Sequence, residues 1–245
     1  MKHRFAQHLF TFLLLLATGC AGTIATAPGD PVPMPASFAG ALPCADCEAI
    51  DYTLDLFADR SYHLGMRYRG KGEAAFEQGG AWEESADGAM LTLQAREPLR
   101  FAIESPDALR LLDRSGAPIV STLNYTLTRV PDAGLPETHW RLTHLAGVAV
   151  AHSAGAREAH IVLGSDNRLS GSDGCNRIGG GYQLDGAKLS ISQLFSTRMA
   201  CAEGMEQAER FGRALGAVAR YRIAGAHLEL QDAAGAVLAR FEAVR

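Results

Sequence analysis

The sequence predicts a mainly β protein: a small closed antiparallel barrel, followed by a second antiparallel β lobe that packs one helix. Three observations lead there. Apolar and polar residues alternate at period two over several short runs in the first half, turn chemistry separates those runs, and a single stretch near the C-terminus changes to helical spacing. Ile50, Tyr52, Leu54 and Leu56 alternate with Asp51, Thr53 and Asp55; Tyr62, Leu64, Met66 and Tyr68 alternate with Ser61, His63, Gly65 and Arg67. Leu99, Phe101 and Ile103, then Tyr125 and Leu127, repeat the pattern. One apolar face per run means half-buried antiparallel strands. Ala58-Asp59-Arg60, Gln78-Gly79-Gly80, Asp87-Gly88 and Asp113-Arg114-Ser115-Gly116 read as turns between them. About seven short strands with tight turns favour closure, which removes exposed strand edges. Tyr52, Leu54, Tyr62, Leu64, Phe101 and Tyr125 are bulky enough to fill so small a barrel.

A proline-marked break, Val130-Pro131-Asp132-Ala133-Gly134-Leu135-Pro136, precedes the second lobe. Acidic residues are in surplus before it and balanced by basic ones after it, which places a boundary at 131–137. Trp140-Arg141-Leu142 and Leu145 open the lobe, and Ile161 and Leu163 read as a strand. The run from Gly171 to Gly181 is rich in glycine but lacks the Gly-Lys-Ser/Thr triplet that a phosphate loop needs. A bulged turn with glycines at positive φ is the reading it supports. Met205, Ala208, Phe211, Leu215 and Val218 fall on one helical face, with Glu203, Glu206, Arg210 and Arg213 off it. Strands at 221–223, 228–230 and 237–241 close the chain.

Composition narrows the functional classes. The chain has 245 residues, 47% hydrophobic and 20% charged, which excludes a coiled coil, a collagen-like repeat and a wholly disordered chain. A formal net charge of −4 without a basic stripe argues against nucleic acid as a partner.

The front end reads as an address. Lys2-His3-Arg4 is followed by an apolar run from Leu9 to Ala17 that is too short to span a bilayer. Leu16-Ala17-Thr18-Gly19-Cys20 resembles a bacterial lipobox. That implies a signal peptide over 1–19, acylation of Cys20 and anchorage through outer-membrane lipid, since Ala21 rather than Asp follows the cysteine. Acyl chains contribute ~0.8 kcal/mol per buried CH₂, so two or more anchor stably. Residues 20–38 carry several prolines and read as an extended tether.

With Cys20 lipidated, the other four of five cysteines form two pairs. Cys175 and Cys201 read as a disulfide. Cys44-Ala45-Asp46-Cys47 leaves three readings open: a small disulfide, a redox-sensing or soft-metal site, or inert thiols. As a metal site it suits Cu(I) or zinc, with His63 and Met66 as further ligands. A thioredoxin-type pair opens a helix, which lowers the thiol pKa. Here Pro43 precedes the pair and strand periodicity follows, so a thiol–disulfide enzyme is the weaker reading.

The run Gly40-Ala41-Leu42-Pro43-Cys44-Ala45-Asp46-Cys47-Glu48-Ala49-Ile50 resembles the N-terminal domain of the NlpE copper-homeostasis and adhesion lipoproteins. Gly80-Ala81-Trp82, Leu111–Ile119 and Leu123–Leu127 extend the likeness over 39–129. The resemblance implies a lipocalin-like barrel at 39–130, a periplasm-facing outer-membrane location, copper tolerance or envelope-stress signalling, and an envelope sensor protein as partner. Gly171-Ser172-Asp173-Gly174-Cys175-Asn176-Arg177, with Tyr182 and Thr197-Arg198-Met199-Ala200-Cys201, is similar to the META/HslJ domain over 138–245. Gly174, Cys175, Asn176, Arg177, Thr197, Met199 and Cys201 carry that motif. Asn176 and Arg177 are expected to hold neighbouring backbone rather than a ligand.

No Gly-x-Ser-x-Gly elbow or His-Glu-x-x-His helix occurs. His139 and His144 have no acid at ligand spacing and read as solvated. The expectation is a non-enzyme of envelope homeostasis needing no cofactor, with Cu(I) at Cys44 and Cys47 as the one candidate. The alternatives are a barrel that binds a small apolar ligand and a periplasmic redox protein.

Overall fold

The computed structural model describes residues 32–71, 75–150, 157–199, 201 and 204–244. The expected signal peptide, Cys20 and the front of the expected tether lie outside the described residues. Eight strands form a closed antiparallel barrel in sequence order: β1 (Ala36–Leu42), β2 (Ile50–Leu56), β3 (Ser61–Tyr68), β4 (Ala75–Glu84), β5 (Met90–Leu93), β6 (Leu99–Ser105), β7 (Ala108–Leu111) and β8 (Thr126–Val130). β1 pairs with β2 on one side and β8 on the other, which closes the ring. Each strand sends a side chain inward: Phe38, Leu54, Leu64, Trp82, Leu91, Phe101, Leu109 and Leu127 are all buried. Each such residue contributes about 1.5–3 kcal/mol on leaving water. Among the six expected fillers, Tyr125 is the exception: it precedes β8 and remains half-buried.

Two local expectations are corrected. The tether ends earlier than residue 38, because β1 begins at Ala36, and Val32, Ala36, Ser37 and Phe38 are buried. Phe38 is an inward position, so pairing with β2 and β8 must reach it. Gln78-Gly79-Gly80 is not a turn but the middle of the ten-residue β4. The Tyr62 ring occupies the room over Gly80, where a Cβ would meet it at 3.0 Å. Glycine here makes space for an aromatic neighbour; it does not reverse the chain.

The second lobe begins with β9 (His139–Leu145), β10 (Val148–Ala149), β11 (His160–Leu163), β12 (Arg168–Ser172), β13 (Arg177–Asp185) and β14 (Lys188–Ser196). Helix α1 (Met205–Gly216) follows, then β15 (Arg220–Ala224), β16 (His227–Gln231) and β17 (Val237–Val244). The sheet order is β10-β9-β11-β12-β13-β14-β15-β16-β17, and its ends meet because β17 also pairs with β9. Ala208, Phe211 and Leu215 bury the inner face of α1, with the Phe211 ring 5.9 Å from Phe241. Met205, expected on that face, is exposed. Glu206 in the first turn and Arg213 in the last complement the helix dipole.

Among the glycines from Gly171 to Gly181, positive φ occurs at Gly174 alone. Gly179, Gly180 and Gly181 are strand residues of β13, with the ladder shifted between Gly179 and Gly181. The Phe195 side chain lies over Gly179. Residues 131–137 are not a free linker. Leu135 is buried in the second core, its carbonyl accepts the Trp140 indole N–H at 3.0 Å, and Glu137 N donates to Leu163 O at 2.8 Å. Among the described residues no helix is long and apolar enough to cross a membrane.

Candidate functional site

Cys44 and Cys47 stand in the connection between β1 and β2, at one end of the barrel. They are joined by a disulfide, with Cα atoms 5.3 Å apart. Asp46 lies exposed between them and pairs with Lys71, whose hydrogen bond and charge hold the Asp46 carboxyl below its usual range. Arg69 fastens the same end: its Nε and Nη2 donate to the Asp51 carboxylate at 2.8 and 2.6 Å, and its amide donates to Ala49 O at 2.9 Å. The short loop therefore presents the sulfurs from a rigid base.

The four-ligand set of Cys44, Cys47, His63 and Met66 is not assembled. His63 is opposite Asp55 in the β2–β3 ladder, five residues from Tyr68 at the cysteine end, which is roughly 17 Å along the strand. It pairs with Glu77 at 3.2 Å. Met66 packs on the barrel core. The group that gathers around the cysteines is Cys44, Asp46 and Cys47. Two thiols there suit a soft ion only once the disulfide is reduced.

The second motif is a backbone clamp organised by Asp173. Its Oδ1 accepts the amides of Cys175 and Asn176 at 2.9 and 2.6 Å, and its Oδ2 accepts Asn176 Nδ2 and Ser196 Oγ, both at 3.3 Å. Asn176 Oδ1 in turn accepts Met199 N at 2.8 Å and Thr197 Oγ1 at 3.3 Å. Arg177 N donates to Thr197 Oγ1 at 3.1 Å, while the Arg177 side chain is exposed. The Cys175–Cys201 disulfide ties the two ends, with Cα atoms 6.0 Å apart.

A cleft of about 360 Å³ lies between the lobes. The barrel lends it the outer faces of β2, β3 and β4, including Asp51, Asp55, His63 and Glu77; the second lobe adds His144, His227, Glu229 and Arg240. Glu77 Oε2 sits 3.2 Å from His63 Nε2 and 3.0 Å from His144 Nε2. Hydrogen bonds from those two rings, His144 first, hold the Glu77 carboxyl far below its usual range against the effect of burial. Asp55 is 1% exposed, and His227 Nδ1 lies 2.7 Å from its Oδ2. The approach is poorly aligned, leaving His227 Nδ1 and Asp55 Oδ1 without a well-formed hydrogen bond. Burial of His227 disfavours its charged form, yet the Asp55 carboxylate, with Glu242 and Glu77 behind it, raises its pKa overall.

Arg222 bridges the lobes beside this cleft. Its Nη1 donates to Asp59 Oδ2 at 2.8 Å, its Nε to the buried Glu229 at 2.6 Å, and its guanidinium lies 3.5 Å from the Phe57 ring centroid. Arg240 holds the other oxygen of Glu229 at 2.8 Å. The histidines thus differ from their sequence reading. His144 is not solvated but paired with Glu77, and His139 pairs with Glu158 at 2.7 Å. Both acids are remote in sequence, so spacing carried no signal for them. The surplus acid of the first lobe was the one visible hint, and part of it faces Arg222, His144 and His227.

The architecture defines a two-lobe β protein: a filled barrel that presents a Cys-x-x-Cys disulfide, joined to a sheet whose edges meet around a helix. Residues 38–122 match the NlpE N-terminal domain and residues 133–245 match the META domain. The chain thus carries an NlpE N-terminal domain followed by a META domain. Lipoprotein NlpE of Escherichia coli (strain K12) is 42% identical over 108 residues, which cover 43% of this chain and 45% of that protein. The chain spans less than half the length of that curated relative. The crystal structure of the Cpx pathway activator NlpE from Escherichia coli aligns at 24% identity with a TM-score of 0.32, covering 69% of this chain and all of that one. An NMR structure of a protein from Burkholderia xenovorans aligns at 29% identity with a TM-score of 0.37, covering 45% of this chain and 83% of the other.

Proposed function

We propose that this chain is an envelope lipoprotein, anchored by acylated Cys20 in the outer membrane and facing the periplasm, that reports envelope stress to a sensor protein. The observation that carries the reading is the half-buried Cys44–Cys47 disulfide at one end of a barrel whose sequence matches the NlpE N-terminal domain. A relative at 42% identity bears the name of a lipoprotein, which supports the anchor. The barrel works as a rigid platform, because side chains fill its interior; that favours a signalling surface over a small-ligand carrier. The cysteine loop is its reactive feature. Reduction by a dithiol adds two electrons and two protons to the disulfide and yields two thiols. Cu(I) then displaces both protons and is held by two thiolates. Copper tolerance follows from that step.

The test is Cu(I) titration of the reduced mature protein beside Cys44→Ser/Cys47→Ser. Tight binding of one ion by the wild type alone supports the copper branch, and equal affinity in both proteins removes it. Mass spectrometry of membrane-purified protein tests the anchor: an unacylated Cys20 would end the lipoprotein reading. A stress reporter that responds equally to overproduced wild type and to an empty vector would end the signalling one.

A further inference from the structure

A second cluster of metal-type ligands lies on the outer face of the second lobe, away from both the cysteine loop and the interlobe cleft. β9 and β11 pair with Arg141 opposite His160 and Trp140 opposite Ile161. Trp140 and Ile161 point into the core, so His139 and His160 share the outer face as diagonal neighbours. Their rings stack with centroids 4.2 Å apart and planes 21° from parallel. Glu158 precedes His160 by two residues, and its Oε1 lies 2.7 Å from His139 Nε2. One ligand atom from each of the three residues falls within 4.8 Å of the other two.

We infer that His139, Glu158 and His160 form a binding site for a borderline divalent transition-metal ion of the zinc type. Two imidazoles and a carboxylate are the donor set such ions take when they keep open coordination positions. Zinc bonds of about 2.0–2.2 Å in a tetrahedral site put any two donors about 3.3–3.6 Å apart, so the three side chains must rotate to draw their donors from within 4.8 Å of one another onto one ion. The supporting contacts are present as well. His160 Nδ1 lies 3.1 Å from the Glu158 backbone carbonyl. A proton on Nδ1 satisfies that carbonyl and leaves Nε2 with its lone pair free, the usual way a ligand imidazole is oriented. The strand pair is rigid, because Trp140 and Ile161 beneath it are fully buried.

The open positions face a shallow depression lined also by Ser172, Arg157 and Arg177. These side chains suit an anion as the remaining ligand: the ion supplies charge from below and the guanidiniums from the rim. The exposed Arg177 side chain, on a residue the sequence motif singles out and unused in the backbone clamp, thereby has a chemical setting.

The experiment is Zn²⁺ titration by calorimetry of the purified full chain in detergent, with both disulfides intact and no chelating buffer. One equivalent should bind to the wild type, and Cys44→Ser/Cys47→Ser should bind equally well. His139→Ala/His160→Ala should bind none, and Glu158→Gln should lose about 10–100-fold in affinity. Circular dichroism establishes that each variant is folded; if the double variant is not, His160→Gln replaces it, with Co²⁺ absorption as the readout of imidazole ligation. Absence of binding to the wild type overturns the site. So does binding retained in folded His139→Ala/His160→Ala, or binding lost instead in His63→Ala/His144→Ala, which would place the ion in the interlobe cleft.

Discussion

Asp173 shows how much one side chain can hold together. It is 3% exposed and accepts four hydrogen bonds, two of them from backbone amides that have turned away from the sheet. Asp173→Ala would leave those buried donors unpaired and should cost about 2–4 kcal/mol, measured by urea denaturation followed at the Trp140 fluorescence. Asp173→Asn, which keeps one acceptor, should cost less. The Asp-Gly-Cys-Asn spacing was legible in the sequence as a motif, and so was the expectation that Asn176 holds backbone. Thr197 and Met199 belong to the same motif, yet nothing in the spacing says that the Thr197 hydroxyl and the Met199 amide close onto Asn176. That closure depends on β13 and β14 lying side by side.

At the scale of elements, the two disulfides act on loops of different length. Cys175–Cys201 closes a separation of 26 residues and Cys44–Cys47 one of 3. On the chain-entropy model, Cys175→Ser/Cys201→Ser should destabilise the second lobe by about 3–4 kcal/mol and Cys44→Ser/Cys47→Ser the barrel by about 2 kcal/mol. Denaturant midpoints read separately at Trp82 and Trp140 check the order. The larger bridge therefore contributes more to stability than the smaller one. Period-two alternation made β2, β3 and β6 readable, because each has one wet face and one dry face. β4 was misread where Gly79 and Gly80 interrupt the pattern. A glycine that makes room for Tyr62 and a glycine that turns the chain have the same letter, and only the packed ring tells them apart.

For the whole molecule, the decisive feature is the ionic seam between the lobes. Arg222→Ala removes the bridge to Asp59 and leaves the buried Glu229 with Arg240 alone. The lost bridge to the largely exposed Asp59 should weaken lobe docking by about 1 kcal/mol, seen as larger dimensions in small-angle scattering, while the unpairing of Glu229 falls on the second lobe itself. The seam also titrates. The pKa of His227 is raised, so its contribution is complete below about 6.5 and fades as pH rises through the shifted value. The pKa of Glu77 is depressed, so its contribution is complete above about 4.5 and fades only in strong acid. Docking should therefore be firmest between those two values and loosen first on the alkaline side. Protection of the amides in β2–β4 and β9, taken relative to intrinsic exchange, should fall as pH rises above about 6.5, and His227→Gln should flatten that dependence. Unchanged protection across the range would show that charge does not hold the lobes.

Local chemistry alone determined the β character of both lobes and the helix near the C-terminus, because strand periodicity, helical spacing and turn residues act over a few positions. Tertiary structure decided which acids meet which histidines. Glu77 reaches His144, Asp55 reaches His227 and Glu158 reaches His139 across separations that no periodicity spans. Coulomb attraction depends on distance in space, and distance in space is set only when both sheets have closed and come together.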